Sequence, residues 1–167
     1  MRALLASLLL LGELVVARPL PSQQASELQE ATATCSFEND KQMSVQYLRS
    51  SASERLPVGK VWTPGNSSIF LYTQTDLSLA NTPIPVGAYS LFIIPGKDNW
   101  TLVVNRNVTP GSKYDEKQDL VRAPMEIGQL SAAEKEFAVS FGRMAARQCS
   151  MRLYYGKTGA FVDFTEK

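Results

Sequence analysis

From Thr34 onward, the chain is a series of short β-type segments separated by glycine, proline, asparagine and aspartate. The segments recur about every ten residues, which is typical of an all-β sandwich or barrel. The clearest pair is residues 88–94 and 100–104, joined by a run of turn-forming residues. Side chains on both faces of residues 88–94 are apolar, so we expect this strand in the middle of a sheet, covered above and below.

Helix signals are nearly absent from residues 34–167, which we interpret as one domain. The predicted fold is a single antiparallel β-sandwich, jelly-roll-like, with at most one short helix. Residues 120–127 and 136–141 are predicted as separate strands. Residues 156–159 (Gly-Lys-Thr-Gly) are predicted to form a tight hairpin between the last two strands.

The N-terminal region has the pattern of an export signal. Arg2 precedes an apolar run over residues 3–11, and small side chains follow at residues 15–17. The run is too short to span a membrane, so we predict a cleaved signal peptide over residues 1–17 and no transmembrane segment after cleavage. Residues 18–33 are predicted to be a flexible polar leader. The expected location is therefore outside the cytoplasm, periplasmic or extracellular.

The chain has two cysteines, Cys35 and Cys149. An oxidising compartment favours a disulfide between them. Because side chains alternate between the two faces of a strand, both sulfurs are expected on the inward faces of their segments. We therefore expect a Cys35–Cys149 disulfide. Two buried free thiols are the alternative.

Histidine is absent from the sequence, while 17 lysines and arginines balance 16 aspartates and glutamates. The lack of histidine excludes Ser-His and Cys-His nucleophile pairs and removes the commonest metal ligand. The balanced charge gives no basic field for nucleic acid. We expect no cofactor, no resident metal and no nucleic-acid partner.

The densest polar cluster is residues 113–122, which contain Tyr114, Asp119 and Arg122. These groups are suited to holding a polar ligand, or a cation through oxygen ligands. Alternatively, Arg122 can pair with Asp119 or Asp115 and fix a long loop to the sheet. We favour this structural interpretation, because polar networks of this kind commonly hold loops in place.

Trp62 precedes a Pro-Gly turn that carries Asn66. An aromatic side chain in this position is more often an anchor in or beside the core than a platform for a sugar ring. Both interpretations are kept.

Several motifs resemble one bacterial family, catalogued as domain of unknown function number twenty-nine eleven. They lie at residues 60–66, 84–92, 95–97, 100–101 and 114–122. The most specific are Pro-x-Gly-x-Tyr-Ser-Leu-Phe and Tyr-Asp-Glu-Lys-x-Asp-x-x-Arg. The resemblance spans residues from about 43 to 164, and it implies a secreted or periplasmic β-domain without supplying an activity.

The chain departs from the family pattern at two places. The family usually has Trp-Arg-x-Gly-Ala-Asn where residues 62–67 read Trp-Thr-Pro-Gly-Asn-Ser, so the arginine is lost. A Trp-Gly pair of the family is replaced by Pro110-Gly111. If the family builds a pocket on those groups, the pocket of this member is altered or absent.

The leading functional hypothesis is a non-catalytic exported domain that binds a small molecule, glycan, envelope component or partner protein. The predicted contacts are Trp62, Asn66, Asn105, Tyr114, Asp119 and Arg122. The first alternative is a histidine-free glycan-cleaving enzyme with two carboxylates from Asp115, Glu116, Asp119 and Asp163, which requires a pair facing one cleft. The second is a purely structural domain.

Overall fold

The structure is a computed structural model that describes residues 29–167. The predicted signal peptide and residues 18–28 of the predicted leader lie outside the described residues. The described chain forms nine strands: β1 Gln29–Ser36, β2 Gln42–Arg49, β3 Ile69–Thr73, β4 Leu77–Leu79, β5 Thr82–Ile84, β6 Gly87–Ile94, β7 Trp100–Asn105, β8 Asp119–Ala145 and β9 Gln148–Glu166. Single 3-10 turns occur at Pro64–Asn66 and Glu116–Gln118.

Alternating apolar side chains fix which face of each strand is buried. In β2, Met43, Val45 and Tyr47 are buried, whereas the residues between them are half-buried or exposed. A one-residue slip would turn this apolar set to solvent, so the pattern also fixes the register. The central strand predicted at residues 88–94 is confirmed, because β6 lies between β3 and β7.

All nine strands form one antiparallel sheet in the order β1-β2-β3-β6-β7-β8-β9-β4-β5. In a flat sheet, the six spacings from β1 to β9 would separate those strands by about 29 Å, at about 4.8 Å each. The Cα atoms of Cys35 on β1 and Cys149 on β9 are 6.3 Å apart. The sheet therefore folds over on itself around one core, and the predicted all-β antiparallel fold is confirmed.

The predicted disulfide is also confirmed. Cys35 and Cys149 are bonded, and both are buried, with 5% and 0% of their surface exposed. The bond joins the first strand of the sheet to the strand that closes over it.

The predicted hairpin at residues 156–159 is wrong. These residues lie inside β9, a single strand of 19 residues that pairs with the 27-residue β8. The predicted strands at residues 120–127 and 136–141 are likewise parts of β8. Gly156 has a φ of 57° beside shifts in the β8–β9 register. Because a positive φ occurs in bulges as well as in turns, glycine alone does not distinguish a hairpin turn from a bulge within a strand.

The predicted leader is too long at its C-terminal end. Residues 29–33 belong to β1, which pairs with β2 from Gln29 to Ser36. The core-facing positions here are Ala31 and Ala33, which pack against the core although half-exposed. Because alanine adds little apolar bulk, composition alone did not show this strand. Residues 29–167 contain no helix with the length and apolar content that a membrane-spanning helix requires.

Candidate functional site

A closed hydrogen-bond network surrounds Asp119 at the start of β8. Its Oδ1 accepts a hydrogen bond from Asn105 Nδ2 at 2.8 Å. Its Oδ2 accepts from the Tyr114 hydroxyl at 2.6 Å and from Arg122 Nε at 2.8 Å. Arg122 Nη2 also donates to the Tyr114 hydroxyl at 2.6 Å. Four of the six predicted contacts therefore converge, and we call these four residues the Asp119 network.

The ends of β7 and β8 position this network. Asn105 ends β7 opposite Asp119, next to a register shift after Val104. The Asn105 side chain is buried, and it also donates to the Asp115 carbonyl at 2.9 Å and accepts from the Asn107 amide at 2.9 Å. Both ends of the loop formed by residues 106–118 are thereby fixed to the sheet.

Electrostatics keep the Tyr114 hydroxyl protonated and Arg122 charged. Burial, together with the hydrogen bond to Asp119, raises the pKa of Tyr114 to about 12. The hydrogen bond to Asp119 raises the pKa of Arg122 above its already high value. Tyr114 therefore stays a neutral donor and Arg122 a cation, whose Nη2 also lies 3.0 Å from Glu116 Oε1. Because both oxygens of Asp119 are engaged, the network acts as a clamp on the loop.

The four acids considered for catalysis are engaged in contacts within the protein, and two of them, Glu116 and Asp119, contact the same Arg122 side chain. Asp119 is held in the network, and the Asp115 side chain accepts from the Lys117 amide at 3.0 Å. Asp163 lies on β9 and accepts from Gln148 at 2.8 Å. Within residues 29–167, no group of three or more acidic or cysteine side chains is placed to hold a metal ion.

Trp62 is separate from the network. It packs edge-on against Tyr155 and Trp100, with ring centroids 4.9 Å and 6.4 Å away. Its backbone exchanges hydrogen bonds with Ile93 at 2.8 Å and 3.0 Å. These contacts place Trp62 as an anchor against the core, and its role as a ligand contact stays a prediction.

The sixth predicted contact, Asn66, is exposed at the end of the first 3-10 turn. It lines a cleft of about 100 Å³, which we call the loop cleft, between this turn and residues 107–112. Phe92 also lines the loop cleft, and its ring lies 4.9 Å from that of Tyr114. The network thus supports one wall of the cleft that contains Asn66.

A larger concavity of about 290 Å³ lies over β1, β2 and β3, and we call it the outer groove. Its aromatic residues are the buried Tyr47 and two outward-facing residues of β3, Phe70 and Tyr72, whose ring centroids are 6.5 Å apart. Tyr72 is 39% exposed. Hydroxyl and amide side chains, among them Thr32, Gln46 and Ser68, complete the lining.

None of the six predicted contacts lines the outer groove. A usable signal was present, because Ile69, Leu71 and Thr73 are the buried positions of β3. The two aromatic residues alternate with them and must therefore point away from the core. The density of polar residues in the sequence is highest instead at the Asp119 network.

One protein-family model, described as "Protein of unknown function (DUF2911)", matches residues 27–164. The match confirms the family that the motifs indicate, and it begins just ahead of β1. A comparison with curated proteins found no match, and neither did a comparison with solved structures.

Proposed function

The chain belongs to the DUF2911 family of proteins of unknown function, and we propose that it is an exported, non-catalytic domain that binds a neutral glycan in the outer groove. The observation that carries this proposal is the pair of aromatic side chains, Phe70 and Tyr72, on the solvent side of a strand whose other face is buried.

Outward aromatic residues are unusual in such a strand. An antiparallel sheet with one face on the core commonly has polar side chains on the other face. Leaving an aromatic ring partly in water forgoes hydrophobic free energy that burial would provide. A sugar ring suits this surface, because its C–H face packs on an aromatic ring while its hydroxyl groups remain free to hydrogen-bond.

Polar partners lie beside the rings in register. Gln46 of β2 is paired with Thr32 on one side and with Phe70 on the other. The Gln46 amide offers both donors and an acceptor, and the Thr32 hydroxyl offers one of each. This row across three strands places hydrogen-bonding groups next to an aromatic face, as a ligand rich in hydroxyl groups requires.

Charge and size narrow the class of ligand. Glu30 is the one charged residue among the described residues that line the groove. We therefore expect a neutral ligand. The volume of about 290 Å³ is near the lower end of the range of roughly 300–1,000 Å³ for ligand pockets, and we expect one sugar ring to occupy it.

The same lining supports binding without catalysis. Glycan cleavage commonly uses two carboxylates flanking the scissile bond. Glu30 has no second acid beside it among the described lining residues. The groove is suited to holding a sugar but lacks this acid–base pair.

The disulfide supports export. Cys35 and Cys149 are joined across the fold, and disulfides persist mainly in oxidising compartments outside the cytoplasm. The signal-like pattern of residues 1–17 points to the same location.

Binding is tested first on an array of neutral glycans and then by titration calorimetry with oligosaccharides of β-1,4-linked glucose and N-acetylglucosamine. We expect at least one series to bind, and we expect Tyr72→Ala to weaken the affinity about tenfold, which corresponds to about 1.4 kcal/mol. Phe161→Ala is the matched control, because Phe161 on β9 is also 39% exposed but lies outside the groove. No binding to either series, or equal losses in both variants, would overturn the proposal.

A further inference from the structure

We infer that the ligand is an oligosaccharide that extends from the outer groove into the loop cleft, with Asn66 and Asn107 contacting its second sugar. This inference rests on the proposed function and adds the length of the ligand and a second subsite.

The two concavities adjoin each other. Ser68 and Phe70 line both the outer groove and the loop cleft. A ring stacked at Phe70 would therefore have the loop cleft directly beside it. The loop cleft holds about 100 Å³, which is less than the outer groove and suits the hydroxyl-bearing edge of a neighbouring sugar.

The walls of the loop cleft are held in place before any ligand binds. On one side, the backbone N–H of Asn66 donates to the backbone carbonyl of Thr63 at 3.0 Å within the 3-10 turn. On the other side, the Ser90 hydroxyl donates to the Asn107 carbonyl at 2.8 Å. At the tip of the loop, the Gly111 amide donates to Ser68 Oγ at 3.4 Å. Preformed walls reduce the ordering cost of binding.

Two asparagine amides supply the chemistry of this cleft. The Asn107 Oδ1 atom accepts from the Thr109 amide at 3.1 Å. Its Nδ2 donates no hydrogen bond within residues 29–167, and the same holds for the whole Asn66 side chain. Both amides therefore keep donors for the ligand, above an apolar floor of Phe70 and Phe92. Neutral hydrogen-bond donors beside aromatic rings are suited to bind a second sugar of the same oligosaccharide.

The test measures how affinity depends on chain length. Calorimetry compares the monosaccharide, disaccharide and trisaccharide of the β-1,4-linked glucose and N-acetylglucosamine series. For wild-type protein, we expect the disaccharide to bind about tenfold more tightly than the monosaccharide, which corresponds to about 1.4 kcal/mol.

The informative variant is Asn66→Gly, because Asn66 has a φ of 53° that glycine adopts without strain. We expect it to remove the gain from the second sugar while the monosaccharide affinity is unchanged. Asn99→Gly, at an exposed turn outside both concavities, is the control and should keep the gain. Melting temperatures show whether each variant is folded.

The outcomes separate the inference from the proposed function. If affinity does not grow with length, or if Asn66→Gly keeps the full gain, the second subsite is wrong. Sensitivity to Tyr72→Ala would in that case leave the outer groove as a binding site for one sugar. If no member of either series binds, both the subsite and the proposed function are overturned.

Discussion

Arg122 and Asp119, three residues apart on β8, form a salt bridge with Nε 2.8 Å from Oδ2. The Tyr114 hydroxyl donates to the same oxygen at 2.6 Å. The pair therefore holds the loop of residues 106–118, which forms a wall of the loop cleft, against the sheet. A polar cluster that was considered both as a ligand site and as a loop anchor thus supports, through this clamp, a wall of the neighbouring cleft.

Removing the Asp119 carboxylate should destabilise the fold. Asp119→Ala leaves the buried Asn105 amide without one acceptor and removes one of the two carboxylates that pair with Arg122. Hydrogen bonds to charged groups contribute about 1.5–3 kcal/mol, so we expect a loss of about 2–3 kcal/mol in the free energy of unfolding. Urea unfolding measures it. Asp163→Ala, at an exposed position, is the control and should change stability by less than about 0.5 kcal/mol. Equal effects of the two variants would contradict the clamp.

Stability should fall at high pH partly through Tyr114. Its pKa is raised from 10.0 to about 12 in the folded protein. Between these values, the folded state holds a proton that the unfolded state releases, so the stabilisation is complete below pH 10 and is lost as the pH rises towards 12. Burial raises the pKa of Tyr89 and of Tyr155 in the same direction.

The variant Tyr114→Phe isolates the contribution of Tyr114. Urea unfolding at pH 8 and at pH 11 should show a larger stability difference between wild type and variant at pH 8. A difference that is constant across this range would show that Tyr114 does not titrate as the network requires.

Removing the disulfide should cost more than any single hydrogen bond. Cys35 and Cys149 are 114 residues apart in sequence. A crosslink that closes a loop of this length restricts the unfolded chain by up to about 4–5 kcal/mol in the chain-entropy model. We expect a loss approaching that size for Cys35→Ala/Cys149→Ala, measured by urea unfolding against the oxidised wild type. A loss below about 1 kcal/mol would mean that the bond does little for the fold.

Trp62 should affect stability rather than binding. It packs against Trp100 and Tyr155, so Trp62→Ala should destabilise the protein by about 3 kcal/mol. Trp62→Phe, which keeps an aromatic ring, should cost less. At a temperature where both variants are folded, calorimetry should give the same glycan affinity for each variant as for wild type. A loss of affinity in both variants would instead show that Trp62 contacts the ligand.

The features that the sequence predicts are those set by local alternation. Apolar residues on both faces of residues 88–94 predict a central strand. The alternation of side chains around Cys35 and Cys149 predicts that both sulfurs point inward. Both are confirmed, because the side-chain period of a strand is independent of how the sheet closes.

The features that the sequence does not predict depend on partners distant in the chain. Whether Gly156 marks a turn or a bulge is decided by its pairing with Glu134 on β8. Whether Phe70 and Tyr72 line a concavity depends on β1 and β2 beside them. The convergence of Asn105 with Asp119 likewise depends on the β7–β8 register, which local patterns leave open.

The most direct measurement is the calorimetric titration of β-1,4-linked glucose and N-acetylglucosamine trisaccharides into wild-type protein, Tyr72→Ala and Phe161→Ala. The outer groove as a glycan site predicts binding by wild type and Phe161→Ala, with affinity about tenfold weaker for Tyr72→Ala, which corresponds to about 1.4 kcal/mol. Absence of heat in every titration, or equal affinity of Tyr72→Ala and wild type, would contradict it.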